Sequence, residues 1–293
     1  MGAKLLDGRI VSEKIREGLV KEVIDLKEKG ISPFLRVLLV GDYPPSLIYV
    51  KNKEDACRRI GIKTETLRLP QETPEEKILE IIREWNTDPC SGILVQLPLP
   101  KTIDKNKVFS LLDPKKDVDG LTPTNLGLLL TGEPYFFPCT PLGVLELLRF
   151  YGIETKGKYV VIVGRGELVG KPMSCLLLRK GIDATVTVCH TLTRDITSFT
   201  SRADILILGM GKALFLKGEM IKEGAVIVDC GISKVKEKGK TKIVGDCDFF
   251  SCEKKASFIS PVPGGVGPMT VTMLLWNTIQ AAKRQISEGM RGK

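Results

Sequence analysis

Mostly apolar runs, rather than alternating ones, recur along this chain: Phe34 to Val40, broken by Arg36, and Gly92 to Leu97, with Gln96 near its end, in the first half, and Tyr159 to Val163, Ile205 to Leu208 and Ala225 to Asp229, closing on its acid, in the second. A strand that is apolar on both sides has to be covered on both sides, which in practice means a parallel sheet sandwiched by helices. Helical spacing of apolar residues appears between the runs, over Ser46 to Ile60 and Pro74 to Trp85, and Lys63 to Leu69 alternates as a half-exposed strand. The first half therefore reads βαβαβ with right-handed crossovers, and ligands on such a sheet bind at the carboxyl ends of its strands. With 293 residues and about 150 residues per domain as a guide, the chain has room for two such domains.

The pattern restarts after Pro138-Cys139-Thr140-Pro141, where Thr140 can cap a helix that opens on Pro141 and runs to about Tyr151. The strand Tyr159 to Val163 is followed at once by Gly164-Arg165-Gly166-Glu167-Leu168-Val169-Gly170 and a helix through Leu178. Glycines between a strand and a helix let the backbone approach a pyrophosphate at the helix N-terminus. The next strand, Thr185 to Cys189, ends in His190-Thr191 with Arg194 just beyond, and it lacks the acid that commonly holds the ribose 2′-hydroxyl of NAD. Arg165, Arg194 and a hydroxyl favour a 2′-phosphate, hence NADP rather than NAD, with Glu167 as the one opposing charge. His190 and Arg194 also admit a plainer reading, as a strand-end residue bonded to backbone and a surface cation. The expected architecture is α/β, with two α/β domains flanking a cleft, the second a Rossmann-type dinucleotide-binding domain. The expected boundaries are 1–137 and 138–267, with the apolar helix 268–293 packing back on the first domain.

Composition narrows the function classes. A net charge of +9 could suggest nucleic acid, but Lys and Arg are interleaved with Asp and Glu and no long basic run exists, so the charge reads first as a solvated lysine-rich surface, with attraction of an anionic cofactor or substrate as the second reading. No segment reaches the roughly 20 apolar residues of a membrane span and no signal-type run opens the chain, which predicts a cytoplasmic protein. The eight cysteines form no Cys-x-x-Cys pair and there is one histidine, so no metal site is expected.

Tyr49 and Lys53 stand one helical turn apart just beyond the strand that ends at Val40. Positions i and i+4 share a helix face, so phenol and amine point into the same space, with Gln96 near the end of a neighbouring strand. That is a candidate acid–base group; a solvated charged face, given Lys51, Glu54 and Asp55, is the alternative.

Together Ser46-x-x-Tyr49-Val50-x-x-Lys53, Gly92-Ile93-Leu94-Val95-Gln96-Leu97-Pro98-Leu99-Pro100, Lys116-Asp117-Val118-Asp119-Gly120, Pro138-Cys139-Thr140-Pro141, Val169-Gly170-x-Pro172-Met173 and Pro261-Val262-Pro263-Gly264-Gly265-Val266-Gly267-Pro268-Met269-Thr270 resemble the bifunctional methylenetetrahydrofolate dehydrogenase/cyclohydrolase family. The resemblance runs through nearly the whole chain in order. It implies NADP-linked oxidation of 5,10-methylene-tetrahydrofolate to the methenyl cation, hydrolysis to 10-formyl-tetrahydrofolate, a homodimer, and a place in one-carbon metabolism and purine biosynthesis. By the same resemblance Lys53 is the acid–base group, Tyr49 packs against the folate, Gln96 bonds Lys53, and Asp119 grips the pterin edge. Val50, Val95, Leu97 and the loop Pro263, Gly264, Gly265, Val266 and Gly267 line the substrate site. Gly164, Arg165, Gly166, Thr191 and Ile232 match positions that contact the cofactor.

The chain departs from the family at Gly166, where serine is usual, at Glu167, at Ser233, where asparagine is usual, and at Leu142, where a basic residue is common. A monofunctional NAD-dependent dehydrogenase and a non-catalytic folate or dinucleotide sensor remain the alternatives. The short-chain dehydrogenases also use Tyr-x-x-x-Lys, but there the glycine loop comes first, whereas Tyr49 precedes Gly164 here.

Overall fold

The computed structural model describes residues 2–237 and 240–291. In chain order its first elements are β1 (Lys4–Leu5), α1 (Gly8–Glu28), β2 (Phe34–Val40), α2 (Pro44–Ile60), β3 (Lys63–Leu69), α3 (Glu75–Thr87), β4 (Gly92–Val95), α4 (Lys105–Leu111), α5 (Pro123–Thr131) and α6 (Cys139–Phe150). Then come β5 (Tyr159–Val163), α7 (Gly170–Leu177), β6 (Thr185–Cys189), α8 (Thr197–Thr200), β7 (Ile205–Leu208), β8 (Val226–Asp229), β9 (Ser233–Glu237), β10 (Lys240–Val244), α9 (Phe249–Cys252), β11 (Phe258–Ile259) and α10 (Val266–Arg291). The chain divides into two compact units, one of Met1–Glu13 with Thr140–Thr270 and one of Lys14–Cys139 with Val271–Lys293.

The second of these units holds a three-stranded parallel sheet in the order β3-β2-β4. Its centre, β2, is buried on both sides, with Leu35, Val37 and Leu38 fully covered, as its mostly apolar sequence requires, and Arg36 within it is paired with Asp88 and Glu65. Leu38 and Val40 pack with Ile78, Ile82 and Trp85 of α3 and with Ile93 and Val95. The strand expected to reach Leu97 stops at Val95: Gln96 still donates its N–H to the Leu38 carbonyl, but Pro98 and Pro100 have no N–H for a ladder. The C-terminal helix begins at Val266 rather than Pro268 and belongs to this unit from Val271 onward. There the buried Asn277 donates Nδ2–H bonds to the carbonyls of Val118 (2.8 Å) and Phe137 (3.0 Å), fixing the loops at both ends of α5.

The other unit is a six-stranded parallel sheet, β1-β11-β8-β7-β5-β6, with the β9–β10 hairpin apart from it. Because β6 lies on one side of β5 and β7 on the other, the order reverses at the carboxyl end of β5, where the Gly164 loop begins. Ligands of open α/β sheets bind at such a switch point. The expected boundary at 137/138 misses one segment: β1 pairs in parallel with β11 at Lys4 and Leu5, so the N-terminal residues belong here, not with the first sheet. Two strand residues without an apolar run give no periodicity to read. The expected cap at Thr140 is also corrected. The helix α6 starts at Cys139, and the Thr140 hydroxyl pairs with the Thr270 hydroxyl at 3.0 Å.

Gly92 is a packing residue that its sequence does not advertise. A Cβ there would overlap the Val118 side chain, which is itself fully buried and cannot swing into solvent. Gly92→Ala should therefore cost about 1–3 kcal/mol by overpacking, read as a lower urea midpoint with an unchanged slope; an unchanged midpoint would mean that β4 and the 116–120 loop shift apart freely.

Candidate active site

Within the three-stranded unit, α2 opens on Pro44 and Pro45 and ends at Gly61, whose left-handed φ of 83° lets its N–H reach back to the Arg58 and Cys57 carbonyls. One face of α2 buries Ser46, Val50, Ala56, Cys57 and Ile60. Tyr49 and Lys53 lie beside that face, half-exposed. The Lys53 Nζ donates to Gln96 Oε1 at 3.0 Å, and Gln96, only 7 % exposed, donates its own Nε2–H to the Leu97 carbonyl at 2.6 Å. Ser46 Oγ donates to that same carbonyl at 3.4 Å. The amine is thus oriented by a neutral amide whose rotamer is itself fixed. Burial holds the Tyr49 phenol above its ordinary value, so at neutral pH it is a protonated, hydrogen-bonding ring rather than a base.

Asp119 sits on the loop after β4, and its backbone is fixed by its neighbours. Ile93 N donates to the Lys116 carbonyl at 2.7 Å, which ties the loop to β4. The fully buried Asp117 accepts from Gly120 N (3.0 Å), Thr122 N (2.7 Å) and Asn125 Nδ2 (2.9 Å), so its carboxyl holds the turn. Burial raises the Asp117 carboxyl despite these bonds. The Cys139 thiol is held well above its ordinary range, chiefly by burial and further by the Asp119 carboxyl, while the Lys53 ammonium acts in the opposite sense. Asp119 and Lys53 therefore both lie close to Cys139. The structure brings Tyr49, Val50, Lys53, Val95, Gln96, Leu97 and Asp119 together on the carboxyl side of one small sheet.

The remaining expected residues lie in the six-stranded unit. Pro263, Gly264, Gly265, Val266 and Gly267 form the turn from β11 into α10, with a cis Val262–Pro263 bond and Gly264 at φ 111°. Gly8 N donates to the Gly264 carbonyl at 2.9 Å, and a Cβ at Gly8 would overlap the Gly265 carbonyl. Gly8 is a residue the sequence reading missed; nothing near it in the chain signals the contact. Gly164, at φ 126°, and Gly170 are required in the strand-to-helix loop, since a Cβ on either would overlap backbone, of Gly209 and of Gly164 respectively. A Cβ at Gly166 would meet nothing within 4 Å, so there the loop turns an open face outward. The opposing charge of Glu167 is offset by Lys171 at 3.5 Å. His190 takes the strand-end role: its N–H donates to Thr193 Oγ1 (2.9 Å) and its Nδ1 accepts from Leu192 N (3.2 Å). Thr191, Arg194, Arg165 and Ile232 are exposed around these loops. Open backbone at a switch point, with two guanidiniums and a hydroxyl beside it, fits a phosphorylated dinucleotide.

Two family models match this chain: the tetrahydrofolate dehydrogenase/cyclohydrolase catalytic domain over residues 6–119, and the NAD(P)-binding domain of the same enzymes over residues 138–286. The chain belongs to the tetrahydrofolate dehydrogenase/cyclohydrolase family. It is 50 % identical to the bifunctional protein FolD of Acetivibrio thermocellus over 286 residues, 97 % of this chain and 99 % of that protein. The crystal structure of the bifunctional FolD enzyme from Campylobacter jejuni is similar at a TM-score of 0.93 and 46 % identity, covering 97 % of this chain and 99 % of that one. The Trypanosoma brucei dehydrogenase-cyclohydrolase, solved with NADP cofactor and an inhibitor, is similar at 0.93 and 39 % identity over 98 % of this chain and 99 % of its own. Family membership places the NAD(P)-binding half on the unit that carries the glycine loop. Among the described residues no cluster of His, Cys, Asp and Glu could hold a metal, and no helix is long and apolar enough to cross a membrane.

The sequence reading also missed Asp229 and Asp246, which are 2 % and 0 % exposed at the carboxyl side of the larger sheet. Burial pushes Asp229 from an ordinary 3.8 up to about 6 despite three backbone N–H donors. The folded state then binds that proton more tightly than the unfolded chain, so its contribution is present below about pH 4 and lost as pH rises to 6. Measured against Asp229→Asn, which cannot titrate, wild-type stability should fall by about 2–3 kcal/mol between pH 4 and pH 7. Urea midpoints at the two pH values read this directly, and a constant difference would mean that the carboxyl ionises normally.

Proposed function

We propose that the chain oxidises 5,10-methylene-tetrahydrofolate to the 5,10-methenyl form with NADP and hydrolyses the methenyl form to 10-formyl-tetrahydrofolate, with Lys53 as the acid–base group. The observation that carries this reading is the Lys53–Gln96 bond. A carboxylate partner would favour the ammonium, whereas a neutral amide orients the amine without adding charge. Family membership supports both activities.

The reacting carbon is flanked by two nitrogens that stabilise the cation formed when hydride leaves, so oxidation chiefly needs the reactants held close together. Bound NADP supplies the hydride acceptor. Asp119 suits the pterin edge, because an ionised acid accepts from ring N–H groups, and the protonated Tyr49 offers a flat apolar face for the folate. Hydrolysis adds water to the methenyl carbon. Lys53 takes one proton of the water through Nζ and returns it to the departing ring nitrogen as the C–N bond breaks, while the remaining hydroxyl proton leaves to solvent as the formyl carbonyl forms, so one amine serves as base and then as acid. Val50, Val95, Leu97 and the Pro263–Gly267 loop complete the substrate set in this reading, and Gly164, Arg165, Gly166, His190, Thr191, Arg194 and Ile232 the cofactor set. The proposal extends to a homodimer acting in the cytoplasm, where 10-formyl-tetrahydrofolate supplies purine biosynthesis.

Mixing the protein with 5,10-methylene-tetrahydrofolate and NADP should give NADPH without accumulation of the methenyl absorbance; no turnover with either NADP or NAD would point to a sensor instead. Lys53→Met keeps length but carries no proton. It should lower methenyl hydrolysis by about 10²–10⁴-fold while folate binding survives, and unchanged hydrolysis would sink the assignment. Arg165→Ala should weaken NADP by about 10- to 100-fold, the worth of a charge-assisted hydrogen bond, and NAD far less. Equal losses for the two cofactors would place the 2′-phosphate elsewhere.

A further inference from the structure

The carboxyls of Asp229 and Asp246 accept five backbone N–H bonds between them, and no step of the proposed reaction uses them. Asp229 closes β8. Its Oδ1 accepts from Gly231 N (2.8 Å) and Asp246 N (3.1 Å), and its Oδ2 from Cys247 N (2.8 Å). Asp246 Oδ2 accepts from Met210 N (2.7 Å) and Gly211 N (3.0 Å). The Asp229 N–H is itself taken by Ser260 Oγ at 2.7 Å. Glycine is required opposite each carboxyl, since a Cβ at Gly231 would overlap the Asp246 carboxyl and one at Gly245 that of Asp229.

Besides the backbone at 246–247 after β10, the bonds fall on two loops, 209–211 after β7 and 230–232 after β8. Both leave the carboxyl ends of strands on the same side as the glycine loop after β5. The first loop touches that glycine loop directly: the Gly209 carbonyl lies so close to Gly164 that no Cβ would fit, and the Gly164 carbonyl stands in the same relation to Gly170 at the start of α7. The second loop presents Ile232, which is 50 % exposed.

We infer that Asp229 and Asp246 are positioning residues for the dinucleotide, a buried carboxyl pair that sets the 209–211 and 230–232 loops and, through Gly209, the phosphate-binding turn at Gly164. The inference rests on the reading that this unit takes NADP. A carboxyl is the group suited to this task, because an ionised acid only accepts, whereas an amide would aim an N–H2 at some of the backbone N–H groups. Stability alone is a poor account of the pair. Asp246 Oδ1 is buried with no hydrogen-bond partner, and an unsatisfied buried acceptor costs free energy that an apolar side chain would avoid.

Asp246→Asn in the full chain tests the inference, with NADP alone as probe by calorimetry and both activities by steady-state kinetics. NADP affinity should fall by about 10-fold or more, the loss expected when bonds to a charged acceptor fail. The same factor should appear in the KM for NADP, with kcat at saturating NADP falling much less, and with methenyl hydrolysis in the absence of cofactor retained. A role confined to folding would lower both activities together along with the thermal midpoint. Wild-type protein that fails to bind NADP would defeat the functional reading; wild-type that binds, with Asp246→Asn binding equally well, would defeat the inference alone. Hydrogen exchange on the wild-type protein keeps the test independent of the variant's folding. The Met210, Gly211, Gly231 and Cys247 amides should be protected without cofactor, and exchange at unprotected rates would overturn the inference.

Discussion

Burial of β2 and β5 on both faces is the constraint from which the rest of the molecule follows. A parallel strand covered on both sides leaves little room for polar side chains, Arg36 of β2 being held by ion pairs to Asp88 and Glu65, so the candidate site groups sit where the strands end. That is why Gln96 comes one residue after β4, why Tyr49 and Lys53 ride on the first turns of the helix that follows β2, and why the glycines begin at the residue after β5. The two units solve the same problem differently. The smaller sheet places side chains at its strand ends, whereas the larger one places open backbone, with Gly164 and Gly170 packed against other backbone and Gly166 facing outward.

Holding such loops still takes buried polar groups, and the molecule uses one device repeatedly: a single buried Asp or Asn satisfying several backbone groups at once. Asp117 does so for the turn that carries Asp119, Asn277 for the carbonyls of Val118 and Phe137, and Asp229 for the strand end and the return of the β9–β10 hairpin. Each is fully or almost fully buried. Removing a partner from a group of this kind leaves the others unsatisfied at about 1–3 kcal/mol apiece. The loops are therefore rigid for the same reason that they are irregular, since backbone groups not used in a ladder are used by a side chain.

Legibility in the sequence tracked how local the cause was. Strands β2, β3, β5, β6 and β7 stand at the residues their apolar or alternating runs indicated, because burial on a pleated surface imposes its pattern directly. The β9 strand, Ser233-Lys234-Val235-Lys236-Glu237, was not seen, since four polar residues in five leave no apolar period, and β1 and β11 are too short to have one. Lys53 and Gln96 were brought together by resemblance, and the 3.0 Å bond between them is a finding of the structure. Asp229 and Asp246 were invisible because their partners are backbone amides, which every residue possesses. The one trace in the sequence is that each carboxyl faces a glycine, Gly231 and Gly245, and that pairing needs the fold to be read.

The choice of groups around Lys53 bears on the proton-transfer role proposed for it. A lysine meant to hold a negative substrate is best paired with nothing, and one meant to brace a structure is best paired with a carboxylate. Lys53 has neither arrangement. Its bond goes to an amide oxygen whose N–H side is tied to the Leu97 carbonyl, so the amide cannot turn to present its NH2 to the amine. Asp119 shares its neighbourhood with the Cys139 thiol, which burial keeps protonated and uncharged. Tyr49, held protonated by burial, adds a surface but no charge. What results is an amine fixed in direction by a neutral partner, the geometry that the proposed acid–base role calls for. A carboxylate in place of Gln96 would keep an acceptor for the amine but add a charge beside it, which the neutral amide avoids.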